Sequence, residues 1–164
     1  MLVITLFVIS ITNLNAQVSI SKPSLTYGAC SFPSNYHQLE NIIIIENARD
    51  DFSAAGTNPK LLELSAPSDF EFRPGTGLAT VNSGGNLVVT NFNCTASIVT
   101  IEYACTQENK NDKMTIIGLE IRAINGASTG NITRSGGTGA INGLAIGETL
   151  TTEITSTDQS GFPN

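Results

Sequence analysis

The sequence predicts an all-β protein, an antiparallel β-sandwich of about 8 to 10 short strands. Three observations carry that expectation. β-branched and aromatic residues gather in short runs, several of which alternate apolar with polar at the period of a strand. Gly, Asn, Ser and Pro separate those runs at intervals of roughly 8 to 12 residues. No stretch of about a dozen residues carries an apolar stripe at i, i+3, i+4 and i+7, so helix is expected to be minor.

Taken in order, residues 1–16 (MLVITLFVISITNLNA) hold an apolar run from Leu2 to Ile11, then polar residues and Ala16. A run of about ten residues is too short to span a bilayer as a helix and fits a signal-peptide core, with cleavage after Ala16 leaving Gln17 first. No Lys or Arg precedes it, which points to a start upstream or a truncated reading frame. The domain is expected over 17–155. Gln38 to Glu46 carries four consecutive Ile, a run suited to a strand buried on both faces or at a sandwich core. Asn47 to Asn58 breaks it, and Lys60 to Ser65 resumes.

Asp69 to Arg73 sets Phe70 and Phe72 against charged neighbours, so one face is wet. Pro74 to Gly77 is a turn, Leu78 to Val81 a short strand and Ser83 to Asn86 the next turn. Leu87 to Phe92 and Ser97 to Cys105 form a hairpin, the second arm directing Val99, Ile101, Tyr103 and Cys105 inward. Met114 to Ile124 repeats the scheme, with Ile117, Leu119, Ile121 and Ala123 inward and Glu120 and Arg122 outward. Beyond Ile124 the chain is glycine-rich, with Ile132, Ile141, Leu144 and Ile146 as scattered anchors. Glu148 to Thr155 is expected as a last edge strand, and 156–164 as a tail or linker.

The 164 residues are 40% hydrophobic and 13% charged with a formal net charge of −6, which excludes a disordered polyelectrolyte. The acidic balance argues against a nucleic-acid partner, which needs a basic face. Past the leader no apolar run reaches about 18 residues, so no membrane span is expected after cleavage.

Candidate chemistry is sparse. Cys30, Cys94 and Cys105 stand in a chain that reads as exported, where disulfides persist. Cys94 and Cys105 lie at opposite ends of one extended segment, too far apart to bridge, so Cys30 is a partner in any bridge. Cys30 to Cys105 is the favoured pairing, because Cys105 shares the inward face of Tyr103. Its loop of about 76 residues would be worth on the order of 4 kcal/mol. Cys30 to Cys94 and three unpaired thiols are the alternatives.

Glu46, Asp50 and Asp51 are a candidate calcium site at a strand end, set against a solvated loop with an Asp turn; the EF-hand pattern is missing. Asp69 and Glu71 fall on one strand face, as a glycosidase carboxylate pair would, yet the Phe alternation accounts for them. His37 is the only histidine, which excludes a histidine-rich zinc site. Gly136-Gly137-Thr138-Gly139 lacks the Lys and the following helix of a phosphate loop. Tyr27 and Tyr36 are the candidate aromatic platforms for a sugar ring. No catalytic or cofactor-binding residue is assigned.

Leu39 to Asn47, Asp50-Asp51-Phe52, Leu64 to Gly77, Met114 to Ala123 and Gly130 to Gly139 together resemble the repeat module of large secreted, adhesin-like proteins of Bacteroidetes-type bacteria, many exported by the type IX route. The resemblance covers most of residues 38 to 142. It implies a cohesin-like or carbohydrate-module-like sandwich, a jelly-roll-like one being the other form the fold class admits. The residues offer no catalytic set, so no enzymatic role is expected, and the leader points to a secreted or cell-surface location. The expected partners are neighbouring modules of the same polypeptide or cell-surface polymers, each module being monomeric. The chain shows neither further modules nor a C-terminal sorting domain, so it reads as the N-terminal module or a fragment of a longer product, a stand-alone domain being the other reading. The functional expectation is a structural spacer or adhesion module. The alternative is a carbohydrate- or calcium-binding module appended to an exported enzyme.

Overall fold

In the computed structural model the described residues are 17–52 and 58–158, and among them there is no α-helix. The leader expected over 1–16 lies outside the described residues. Fourteen strands form, more than expected because several are only two to four residues long: β1 (Ser19–Ser21), β2 (Ser24–Ala29), β3 (His37–Gln38), β4 (Ile42–Ile45), β5 (Lys60–Ser65), β6 (Phe70–Phe72), β7 (Leu78–Val81), β8 (Leu87–Cys94), β9 (Ile98–Cys105), β10 (Lys113–Ile117), β11 (Glu120–Ala123), β12 (Ser128–Gly130), β13 (Thr133–Gly136) and β14 (Glu153–Asp158). Their hydrogen-bonded orders are β1-β4-β10-β7, β3-β11-β6, β12-β14-β2 and β13-β5-β9-β8. Every pairing but one is antiparallel, and the inward rows of the four sheets meet in one apolar cluster, the core of a β-sandwich.

Alternation explains most of that core. Along β9, Val99, Ile101, Tyr103 and Cys105 are fully buried, with β5 paired along one side and β8 along the other. In β4 the four-Ile run is buried on one face: Ile42 and Ile44 are inside, whereas Ile45 is exposed. Parity then carries Glu46 inward behind Ile44, which is why a carboxylate is found at 2% exposure.

Two expectations are corrected by the backbone. Met114 to Ile124 is not one strand, because Gly118 takes φ +70° and separates β10 from β11. A left-handed residue resets the alternation, so Met114 and Ile116 point inward before it and Leu119, Ile121 and Ala123 after it, while Ile117 is only half-buried. The last strand is also not at an edge. It runs to Asp158 between β12 and β2 and pairs with β2 in parallel over six residues, Glu153 opposite Ser24 through Asp158 opposite Ala29.

Among the described residues no helix is long and apolar enough to cross a membrane.

Candidate functional site

The glycine-rich tract closes into an Ω-shaped loop over 135–147. At its neck Arg134 N–H donates to the Glu148 carbonyl (2.8 Å) and Gly147 N–H donates back to the Arg134 carbonyl (2.7 Å). Such a loop cannot satisfy its own carbonyls through a ladder, and here the Arg134 side chain does it. The guanidinium is drawn inside to 5% exposure and donates through Nη1 to the Leu144 carbonyl, through Nη2 to the Gly139 carbonyl and through Nε to the Gly136 carbonyl (3.4 Å). Ile141 and Leu144 are the loop's buried apolar anchors.

The loop packs beside the turn that follows β4. Asn142 N–H donates to the Asp51 carbonyl (2.8 Å), the Asn142 side-chain amide to Asp51 Oδ1 (3.2 Å), and Phe52 bridges Ile141. Val18 N–H reaches the Asn142 carbonyl (2.9 Å), tying in the segment before β1. Between loop and turn lies a pocket of about 530 Å³ whose lining includes Asp50, Asp51, Arg134, Asn142, Ala145 and Glu148.

The three acids singled out from the sequence therefore fall close together in the chain but have different tasks. Glu46 accepts the Phe52 amide on Oε1 and the Asp112 amide on Oε2, both at 2.6 Å. Asp51, at 1% exposure, accepts the Asn47 and Ala48 amides on Oδ2, both at 2.9 Å, and so braces the turn that leads up to it. Asp50 is exposed on the pocket wall. Among the described residues no group of three or more His, Cys, Asp or Glu is arranged to hold a metal ion. Burial raises the Glu46 carboxyl above its usual range, the two amides pull it back, and the Asp112 and Asp51 charges add to the rise.

Asp112 is a further buried acid that sequence reading missed. Its Oδ1 accepts the Asn86 amide (2.7 Å), and its own amide is the one Glu46 holds. The available signal is parity: Asp112 lies two residues before the inward Met114. Arg134 was missed as well. It is the last of the eight basic residues and stands alone among the glycines, which is the trace it leaves in the sequence.

The expected Cys30 to Cys105 bridge is overturned: no disulfide joins the three cysteines. In β2 the alternation buries Tyr27 and Ala29, so Cys30, next in line, is exposed. Cys105 instead points inward, with its thiol donating to the Gln107 carbonyl (3.0 Å) and lying 3.8 Å from Asp112 Oδ2. Burial, reinforced by the Asp112 charge, pushes the Cys105 thiol up to about 11. Cys94 is buried as well and its thiol is likewise raised by burial.

The two tyrosines do not form an open platform. Tyr27 is 8% exposed, stacks on His37 at 3.9 Å between ring centroids and accepts the Ala123 amide on its hydroxyl (2.7 Å). Tyr36 is half-buried on the outer side of the β3-β11-β6 sheet, where its hydroxyl donates to Glu71 (2.9 Å) and the Arg122 guanidinium lies 4.4 Å from its ring centre. Arg122 also pairs with Glu71 (2.6 Å) and Arg73 with Glu120 (2.9 Å). The Arg122 hydrogen bond holds Glu71 below the usual carboxylate range.

No protein-family model matches the chain, and no curated protein matches it.

Proposed function

We propose that this chain is a non-enzymatic extracellular β-sandwich module, a spacer or adhesion domain of a larger secreted or cell-surface protein. The observation that carries the reading is where its ionisable groups are spent. Glu46, Asp51 and Asp112 use their carboxylate oxygens on backbone amides of the turns they brace, and Arg134 gives three of its five guanidinium N–H groups to loop carbonyls. Groups committed in this way stiffen irregular segments and are poorly placed to exchange protons with a substrate. The resemblance to secreted repeat modules supports the same reading.

The test expresses the full chain with its leader in a Gram-negative host. The expected result is export, with the recovered protein beginning at Gln17, and no turnover of a panel of chromogenic glycosides, esters and peptides. Retention of the uncleaved chain in the cytoplasm overturns the extracellular half of the reading, and turnover above a no-protein blank overturns the non-enzymatic half. A saturable rise in Tm with calcium moves the assignment to the metal-binding alternative.

A further inference from the structure

We propose that the pocket between the Ω-loop and the turn after β4 binds a neutral polyhydroxylated ligand, a sugar, through Arg134, Asn142, Asp50 and Glu148. Its volume of about 530 Å³ falls in the range of small-ligand sites.

The donor and acceptor inventory selects the ligand class. A guanidinium carries five N–H groups. The Gly136, Leu144 and Gly139 carbonyls take one from each nitrogen, so Nη1 and Nη2 each retain one, on a residue that lines the pocket. Among the described residues Arg134 has no ion pair. On the same walls Asp50 and Glu148 are exposed carboxylates, which only accept. Asn142 lines the pocket as well, with its side-chain Nδ2 donating to Asp51 Oδ1 (3.2 Å), so what it offers a ligand is a dipole already oriented by that bond.

A simple anion would answer Arg134 but would meet the Asp50, Asp51 and Glu148 carboxylates. An ammonium would answer the carboxylates but leave the two guanidinium N–H groups unmatched and meet a buried positive charge. A hydroxyl both donates and accepts, and neighbouring hydroxyls on one ring span acceptor and donor together. Ala140 and Ala145 are small, exposed residues of the same lining. Among the described residues no aromatic lines the pocket, so the affinity is expected to be weak, with Kd of about 1 mM.

The inference uses the extracellular-module reading as its setting and fails separately from it. A pocket that ignores sugars leaves the module standing, whereas turnover of substrate overturns the module and leaves the pocket. The test titrates the 15N-labelled full chain with glucose, galactose, mannose, N-acetylglucosamine and cellobiose, with inorganic phosphate and ethanolamine in parallel. Saturable shifts at the amides of Asn142, Gly143, Ala145 and Glu148 with at least one neutral sugar are expected. The Asp50→Ala/Glu148→Ala double variant removes only exposed side chains, so its Tm should hold while binding weakens about tenfold or more. The proposal is overturned if no sugar moves those amides, if the double variant binds undiminished, or if phosphate or ethanolamine saturates the pocket in place of sugar.

Discussion

The β5-β9-β8 layer and the Ω-loop are adjoining parts of one molecule, joined where β13 pairs with β5, yet they are ordered by different means. In the layer each residue from Val99 to Tyr103 of β9 is fixed by a ladder on both sides and by its parity, so order is shared among many equivalent contacts. In the loop it is concentrated: one guanidinium satisfies carbonyls from three places, and a few anchors dock the rest. Distributed order is robust to most single changes outside its core, whereas concentrated order fails at one residue. The loop's irregular backbone is also what leaves room for a pocket, which a regular ladder would fill.

The largest effect is expected in the layer itself. Ile101→Ala empties a fully buried site between two strands and should lower global stability by about 2–5 kcal/mol, read as a shifted urea midpoint with one cooperative transition. Arg134→Met should cost less overall, about 1–3 kcal/mol, because freed carbonyls reach water as the loop opens. Its signature is local: hydrogen exchange should speed up over 137–148 while 98–105 keep their protection. Equal loss in both regions would show that the two are one cooperative unit and break the comparison.

Next in size is the brace at the pocket's edge. In Glu46→Gln a single acceptor replaces two, leaving the Phe52 or the Asp112 amide unanswered at a cost of about 1–3 kcal/mol. The pH profile gives a separate reading. The folded pKa of Glu46 is raised, so its contribution is full below the ordinary value of 4.5 and is lost as pH rises through the folded pKa. Glu71 runs the other way, its pKa lowered by Arg122, with stability present above 4.5 and lost as pH falls through the folded pKa. Urea midpoints measured across that range should flatten above 4.5 in Glu46→Gln and below it in Glu71→Gln. A Glu46→Gln profile identical to the parent's would remove the buried acid from the account.

A smaller effect is expected where layer meets loop. The Tyr103 hydroxyl is buried, has no hydrogen-bond partner among the described residues and sits against Gly139, where an added Cβ would come within 2.1 Å of it. Tyr103→Phe should therefore raise stability by about 1 kcal/mol, and a loss of that size would mean the hydroxyl is supporting the loop. The smallest expectation concerns no stability at all. At pH 8 a thiol reagent should label Cys30 quickly in the native chain, with Cys94 and Cys105 joining only on unfolding, since both are buried and have raised thiol pKa values. Rapid labelling of Cys105 would show that the end of β9 opens.

These outcomes bear on what a sequence can convey. Lys60 to Ser65 and Leu78 to Val81 were legible residue for residue, and the inward set on β9 followed from alternation alone. Parity across Gly118 was not legible, because a positive φ is a backbone choice that the flanking residues do not announce. Within the candidate site Asp50 and Asp51 stood out as acids, but Arg134 and Asn142 acquire their meaning only when a glycine-rich tract folds back onto a turn some 90 residues earlier, Asn142 to Asp51. The Cys30 to Cys105 pairing failed for a related reason: spacing allows a bridge, while the direction of each side chain is set by its own strand.

The side-by-side, same-direction alignment of Ser24–Ala29 with Glu153–Asp158 has a mechanical consequence. Tension entering ahead of the first of these segments and leaving beyond the second drags them past one another lengthwise. All six residue pairs then bear load together and must rupture together, whereas a hairpin pulled at its open end unzips one rung at a time. A chain tugged from both sides is thereby clasped at the seam where its early and late portions meet.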